Sequence, residues 1–393
     1  MATTTFKHGI TVTEVSNGAR TLTAVSTAII GLIATGADAD ADTFPLDTPV
    51  LISNVETAIG QAGSTGTLAR SLQAIANITR PVIVVIRVEE GETDAESASN
   101  VIGTVKEDGT RTGMQALLTA ASVVGVIPRI LGTPGLETQA VTTALAVVAK
   151  KLRGFVYARA IGATIAAAKL YRANFSQREL MLLMPDFTVW DTDSSANVPS
   201  YAAAHAMGLR AMIDEDTGPQ KTLSNVAVDG VDGLSQPIHW DIEDQDSDAG
   251  LLNASEITAL IRKTSGFAFW GNRTCSDDPN FVFESTVRVA QLLADTIILG
   301  MEWASDKPLT PALAKDVIET VNGLFRKLKA AGVLLGAEAW YDETVNTIDT
   351  LKTGKLTIRY KYTVPPPLED LSFSQEITDE YFADFAAQLS ETN

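Results

Sequence analysis

The sequence predicts a multidomain protein of mixed α/β and α+β class: a parallel-sheet α/β central domain plus an α+β C-terminal domain, with extended N- and C-terminal arms. Three observations carry this reading. From Met114 to Gly266, short apolar runs alternate with helical patterns in MQALLTAASVV, PRILGTPG, LETQAVTTALAVVAKKL, GFVYARAIG and RELMLLMPDFTVW. That βαβ rhythm calls for a parallel sheet covered by helices through right-handed crossovers. After Gly271 the pattern changes to two long helices, FVFESTVRVAQLLADTIILGMEWA and LTPALAKDVIETVNGLFRKLKAAG, followed by the strand-like VLLGAEAWY and KLTIRYKYTV. Each end of the chain carries an alternating segment with no local partner.

Taken in order, GITVTEV places Ile10, Val12 and Val15 on one face of a strand. The turn signal SNGAR separates it from TAVSTAIIGLIAT, a more fully buried strand entering a globular unit. VLISNVETAIGQAG reads as strand into helix, TLARSLQAIANI as helix, and PVIVVIRV as a strand buried on both faces. Residues 89–112 are polar and acidic, a surface excursion. The second long helix has Pro311 at its start, with Gly332 just past a basic last turn, both favourable end signals. Beyond it, Pro365 to Pro367 stiffen the chain and project the alternating LSFSQEI, with Leu371, Phe373 and Ile377, away from the preceding sheet. The expected division is an arm over 1–20, an N-terminal α/β region over 21–112, the central domain over 113–270, the C-terminal domain over 271–367 and an arm over 368–393.

Composition narrows the function. The apolar fraction of 45% and charged fraction of 20% are those of a globular protein, not a disordered one. A net charge of −18 repels nucleic acid and anionic lipid, so neither is an expected partner. Cys275 has no second cysteine to pair with, which fits a reducing compartment. MATTTFKHGITVTEV lacks a basic region followed by an apolar core, so export is not expected, and no apolar run is long enough to cross a bilayer.

Catalytic signatures are missing. There is no phosphate loop, no G-x-G-x-x-G, no H-E-x-x-H and no G-x-S-x-G, so the βαβ rhythm lacks the glycines of a dinucleotide site. His8, His205 and His239 lie far apart in sequence, which favours structural roles. Cys275 could act as a nucleophile beside Arg273, but no adjacent histidine supplies a base, and a packed thiol is the plainer reading. Asp244, Asp246 and Asp248 have the alternate spacing of a calcium loop; Ala249 replaces its glycine and Ser255 its bidentate glutamate, which favours a solvated loop over a weak cation site. Asp38, Asp40 and Asp42 are read likewise as a loop in water. The expectation is no metal, no cofactor and no enzyme. Arg326, Lys327 and Lys329 either complement a helix dipole or form an electrostatic docking face that Lys315 extends.

The order of segments resembles one family. HGITVTEV, PRILGTPG, NFSQRELMLLMPDF with VWD, GFAFWGNRTCSDDP and YTVPPPLEDLSFSQEITDEY are together similar to contractile bacteriophage tail sheath proteins of the short-subunit type and to R-type pyocin sheaths. The resemblance covers nearly the whole chain. It implies a structural subunit that polymerises as stacked hexameric rings, six subunits per ring, around a tail tube, and contracts to drive the tube through a host envelope. Baseplate and tail terminator proteins are the further implied partners, and the implied location is the virion tail, after assembly in the host bacterial cytoplasm. The segments around Ile10, Val12 and Val15 and around Leu371, Phe373 and Ile377 would each add a strand to a neighbour's sheet. Lys315, Arg326, Lys327 and Lys329 would make weak charge contacts with the tube. The same mechanism would serve a phage-derived injection machine, and an α/β enzyme is the remote alternative.

Overall fold

A computed structural model describes Leu22, residues 24–192, 194–380 and Phe382. The strands are β1 (Ile30–Thr35), β2 (Val50–Ile52), β3 (Ile83–Val88), β4 (Ile130–Gly132), β5 (Phe155–Arg159), β6 (Leu180–Met184), β7 (Phe187–Asp191), β8 (Ala196–Ser200), β9 (Ala227–Val228), β10 (Gly233–Leu234), β11 (Ile257–Lys263), β12 (Gly266–Trp270), β13 (Gly336–Tyr341) and β14 (Ile358–Thr363). A nine-stranded sheet has the order β2-β3-β1-β4-β5-β6-β11-β12-β9. Within it β3, β1, β4, β5, β6 and β11 run parallel, while β2 and β12 pair antiparallel to β3 and β11.

The inner strands are apolar at every position because helices cover both faces of the sheet. In β1 the alternation of side chains sends Ile30, Leu32 and Ala34 to one core, with Leu72, Ile75 and Met207, and sends Ile33 to the other, with Leu145 and Val148. The helix Ala202–Asp216 lies against the first face and Gln139–Leu152 against the second. Thr138 starts the latter helix by accepting the Val141 N–H.

Three expectations change. The boundary at 112/113 does not separate two sheets: β1 pairs with β4 at Ile30 opposite Ile130, so main-chain hydrogen bonds cross it. The excursion over 89–112 contains the helix Asp94–Ile102, begun by a reciprocal capping box between Thr93 and Glu96 and burying Val101. RELMLLMPDFTVW is not one strand; it divides at Pro185, giving β6 to the large sheet and β7 to a three-stranded sheet of order β10-β7-β8.

The C-terminal unit joins the helices Glu284–Gly300 and Pro311–Ala330 to the two-stranded antiparallel sheet β13-β14. Thr310 caps the second helix by accepting the Leu313 N–H, Pro311 occupies its first position, and Gly332 follows with φ near 74°. Val289, Leu293, Val321, Leu324, Phe325, Leu328 and Ala339 form its small core. Buried ions fasten it to the slab formed by the nine-stranded sheet and the helices on its two faces. Arg210 pairs with Asp214 at 2.8 Å and Glu284 at 3.2 Å, Arg288 pairs with Asp214, and Tyr157 donates to Glu284. A second cluster sets Arg129, at 2.7 Å, and Arg153 on Asp295. Burial pulls the Arg210 guanidinium down, but Asp214 and Glu284 outweigh it and hold its pKa above the ordinary value.

Candidate assembly surfaces

The β13-β14 sheet is amphipathic. Ala339 is buried against the helix Pro311–Ala330, and Ala337, Ile358, Tyr362 and Val364 pack on the same side. The opposite face is polar: Lys361 meets Glu338 at 3.0 Å, Arg359 meets Asp342 at 2.8 Å, and Lys361 lies 5.4 Å from the Trp340 ring centre. A hairpin of two strands is marginal on its own, and the helix behind it supplies what stability it has.

After β14 the chain passes through Pro365–Pro367 and is held at Glu369, whose carboxylate receives Nε and Nη2 of Arg273 at 3.0 and 2.8 Å. Beyond this fastening Leu371, Phe373 and Ile377 are 62%, 87% and 91% exposed and belong to no strand. Three apolar side chains at alternate or near-alternate positions are costly to leave in water. The matching N-terminal residues Ile10, Val12 and Val15 lie outside the described residues.

The four cations expected to face a tube are differently engaged. Lys315 and Arg326, about three turns apart, share a side of the helix, but Arg326 is engaged by Glu319 at 2.6 Å. Lys327 turns towards the Leu22 carbonyl at 3.5 Å, and Lys329 is exposed in the last turn. Lys315 instead borders an apolar groove of about 640 Å³, lined by Leu309, Pro311, Ile318, Tyr341, Ile348 and Leu356 among others.

Residues with chemical potential are tied up structurally. Ser200 Oγ and His205 Nε2 stand 2.8 Å apart, yet both are buried, His205 Nδ1 has no hydrogen-bond partner, and burial pushes the imidazole down to about 4. Cys275 is buried, and burial pushes its thiol up to about 12. Asp244 accepts the Asp246 N–H and Asp248 the His239 N–H, so these carboxylates close turns. No grouping able to hold a metal occurs among the described residues, nor any helix long and apolar enough to cross a membrane. Asp38, Asp40 and Asp42 are exposed, as expected of a loop in water, and the Asp38 carboxylate also accepts from the side chains and main-chain N–H groups of Thr65 and Ser64, which hold it well below the usual carboxylate range.

In open α/β sheets ligands occupy the crevice beyond the carboxyl ends of the strands. Here the loop after β4 is covered by Tyr201: Gly135 has φ of +77°, and a Cβ there would come within 2.5 Å of the Tyr201 ring. Nearby, Asp186 accepts from Arg159 at 2.8 Å and from the Ala202 N–H at 3.0 Å, fastening the start of the helix Ala202–Asp216. Glu137 in the same neighbourhood is pushed up to about 7 by burial and by Asp186.

Models of the phage tail sheath protein central domain and C-terminal domain match residues 109–275 and 276–378, and a tail sheath protein Gp18 domain III N-terminal region matches 27–88. The tail sheath protein of Escherichia phage P2 is 52% identical over 392 residues, covering 98% of this chain and 99% of that one. The chain belongs to the phage tail sheath family. The major tail sheath protein of Serratia phage KSP20 is 46% identical over 391 residues, with 98% and 99% coverage. The fold is shared with the sheath of an extracellular contractile injection system, PVC, in its contracted state, at a TM-score of 0.71 and 15% identity over 96% of this chain and 99% of that one. As a tail sheath protein, the chain is a structural component of a virion tail.

Sequence reasoning singled out the exposed Leu371, Phe373 and Ile377 but missed other parts. Asn322, which reaches the main chain of β13, looks like any polar helix residue. Lys355, Arg359 and Lys361 make the β14 stretch basic in an acidic chain, a signal that charge counting along the sequence could have found.

Proposed function

We propose that the chain polymerises as stacked rings of six around a tail tube and contracts from an extended to a shorter, wider array, driving the tube through a host envelope. The observation that carries this is the exposure of Leu371, Phe373 and Ile377 beside a sheet of only two strands. Segment and sheet complete one another if the strand of one subunit pairs with the sheet of the next, and the N-terminal segment with Ile10, Val12 and Val15 does the same at another neighbour. Polymerisation then uses an edge that would otherwise invite aggregation. The free energy of contraction lies in the different contacts of the two arrays, so no catalysis and no cofactor is required. Lys315, Arg326 and Lys329 are the cations we assign to weak tube contacts, with Lys327 at the margin. Baseplate and terminator proteins bound the array at its ends, and assembly takes place in the host cytoplasm.

The resemblance to an injection-system sheath supports a second setting for the same mechanism, a phage-derived injector without a genome. DNA in purified particles separates the two. The central test is negative-stain electron microscopy of the full chain at increasing concentration, alone and with a tube protein. Hollow tubes or stacked six-fold rings are expected. Versions lacking residues 1–18 or 368–393 should stay folded by circular dichroism and form no long tubes; ordered sheaths from both would overturn strand exchange.

A further inference from the structure

The two outer edges of the β13-β14 sheet are not equivalent. Asn322, in the middle of the helix Pro311–Ala330, donates Nδ2 to the Ala339 carbonyl at 2.9 Å and accepts the Ala339 N–H on Oδ1 at 2.8 Å. One side chain therefore occupies both main-chain groups that an added strand would need at that point of β13. In an antiparallel ladder, alternate residues turn these groups inwards and outwards. Ala339 lies opposite Tyr360, so the outward groups of β14 are those of Ile358, Tyr360 and Tyr362. Asn346 makes the same two-point contact with Thr357, donating at 2.7 Å and accepting at 2.8 Å. Thr357 is of the inward set, so this contact leaves the outer edge of β14 open.

We infer that Asn322 is an edge lock: it closes β13 and leaves β14 as the edge that receives residues 371–377 of a second copy of this chain, so that the N-terminal strand of a further copy extends the sheet beyond that added strand. The inference rests on the strand-exchange reading and adds to it which edge is used and what selects it. Charge favours this occupant. Residues 355–363 carry Lys355, Arg359 and Lys361 and no acid, whereas residues 369–380 carry Glu369, Asp370, Glu376, Asp379 and Glu380 and no base. Side-chain alternation fits as well: Leu371, Phe373 and Ile377 fall on one face and Glu376 on the other, just as Ile358 and Tyr362 face the helix while Arg359 and Lys361 face away. A chain cannot readily serve its own edge, because Pro365–Pro367 and the Arg273–Glu369 pair lead its segment away from β14.

Disulfide trapping in the assembled full-length polymer tests this, since adjacent strands lie about 4.8 Å apart and strands one removed about 10 Å, and a disulfide needs Cα atoms within about 7 Å. Ser372→Cys or Ser374→Cys is combined with Arg359→Cys or Lys361→Cys for the β14 edge, and with Glu338→Cys or Trp340→Cys for the β13 edge. The native Cys275 is buried and does not interfere. Intersubunit ladders from the β14 pairs alone are the expected result. Ladders from the β13 pairs would overturn the edge lock and leave strand exchange standing; tubes that cross-link through neither would overturn both. Adding Asn322→Ala should raise trapping through Glu338→Cys from background to several-fold above it, and no rise in folded, assembled protein would count against Asn322 as the lock.

Discussion

The slab and the C-terminal unit solve opposite problems with the same kinds of element. In the slab every inner strand is consumed by two cores, and the sheet ends on short edges, β2 of three residues and β9 of two, which offer little to another chain. In the C-terminal unit the sheet stops at two strands, one face stays polar, and the chain continues into exposed apolar residues. The slab is complete in one subunit; on the strand-exchange proposal the C-terminal unit is completed by another. Under that proposal the buried ions between the two have a use, because a subunit pulled through its strands would pass the load to its slab without the halves separating.

Cutting that connection is the sharpest way to break the comparison. Glu284 accepts from Tyr157 and Arg210 at the junction. Glu284→Ala leaves Arg210 buried with one partner fewer, and removing one member of a buried ion cluster costs about 3–5 kcal/mol. Denaturant unfolding should show this loss and divide into two transitions, the C-terminal helices first. A single transition of unchanged midpoint would mean that the ions do not couple the halves.

The slab has its own sensitivity to acid. His205 is neutral in the fold, with its pKa at about 4 against an ordinary 6.5. A base with a depressed folded pKa contributes stability above its unfolded pKa and loses it as pH falls through the folded value. Stability should decline between about pH 6.5 and pH 4 by up to about 3 kcal/mol, at 1.36 kcal/mol per pKa unit. His205→Asn should flatten that part of a stability-against-pH curve; equal slopes in both proteins would assign the acid sensitivity to other groups.

How much of this was visible in the sequence depends on the range of the interactions. Local signals were legible: Pro311 and Gly332 bracket the helix as expected, PVIVVIRV is β3, and VLLGAEAWY and KLTIRYKYTV contain β13 and β14. The alternation of Leu371, Phe373 and Ile377 without a local partner was legible too, and the three are exposed and outside any strand of the fold. What was hidden involves residues far apart in the chain. Nothing in the sequence singles out Tyr157, Arg210, Asp214, Glu284 and Arg288, and only the fold brings them into one buried cluster. The pairing of β6 with β11 was equally unreadable, since the hairpin of β7 and β8, a long helix and the short β9 and β10 intervene.

A smaller effect separates the fastening of the C-terminal segment from the segment itself. Arg273 and Glu369 form a two-point pair that is partly open to solvent, so screening limits its worth to about 0.2–1 kcal/mol. Arg273→Ala should leave global unfolding nearly unchanged while hydrogen exchange quickens at the root of the segment, around residues 368–372. Unaltered exchange there would mean that the proline run alone sets its direction.

The smallest effect concerns the cations of the helix Pro311–Ala330. Arg326 and Glu319 are both exposed, so Arg326→Ala should cost no more than about 0.5 kcal/mol in the isolated subunit, and less as salt is raised. Such a pair contributes little to the fold, which leaves Arg326 free to exchange Glu319 for an acidic group on a tube. If the exchange occurs, the triple change Lys315→Glu, Arg326→Glu and Lys329→Glu will leave the melting temperature within a few degrees and weaken co-sedimentation with tubes most at low salt. A loss of co-sedimentation that is the same at every salt concentration would instead place these residues outside the charged contact, because screening acts only on interactions between charges.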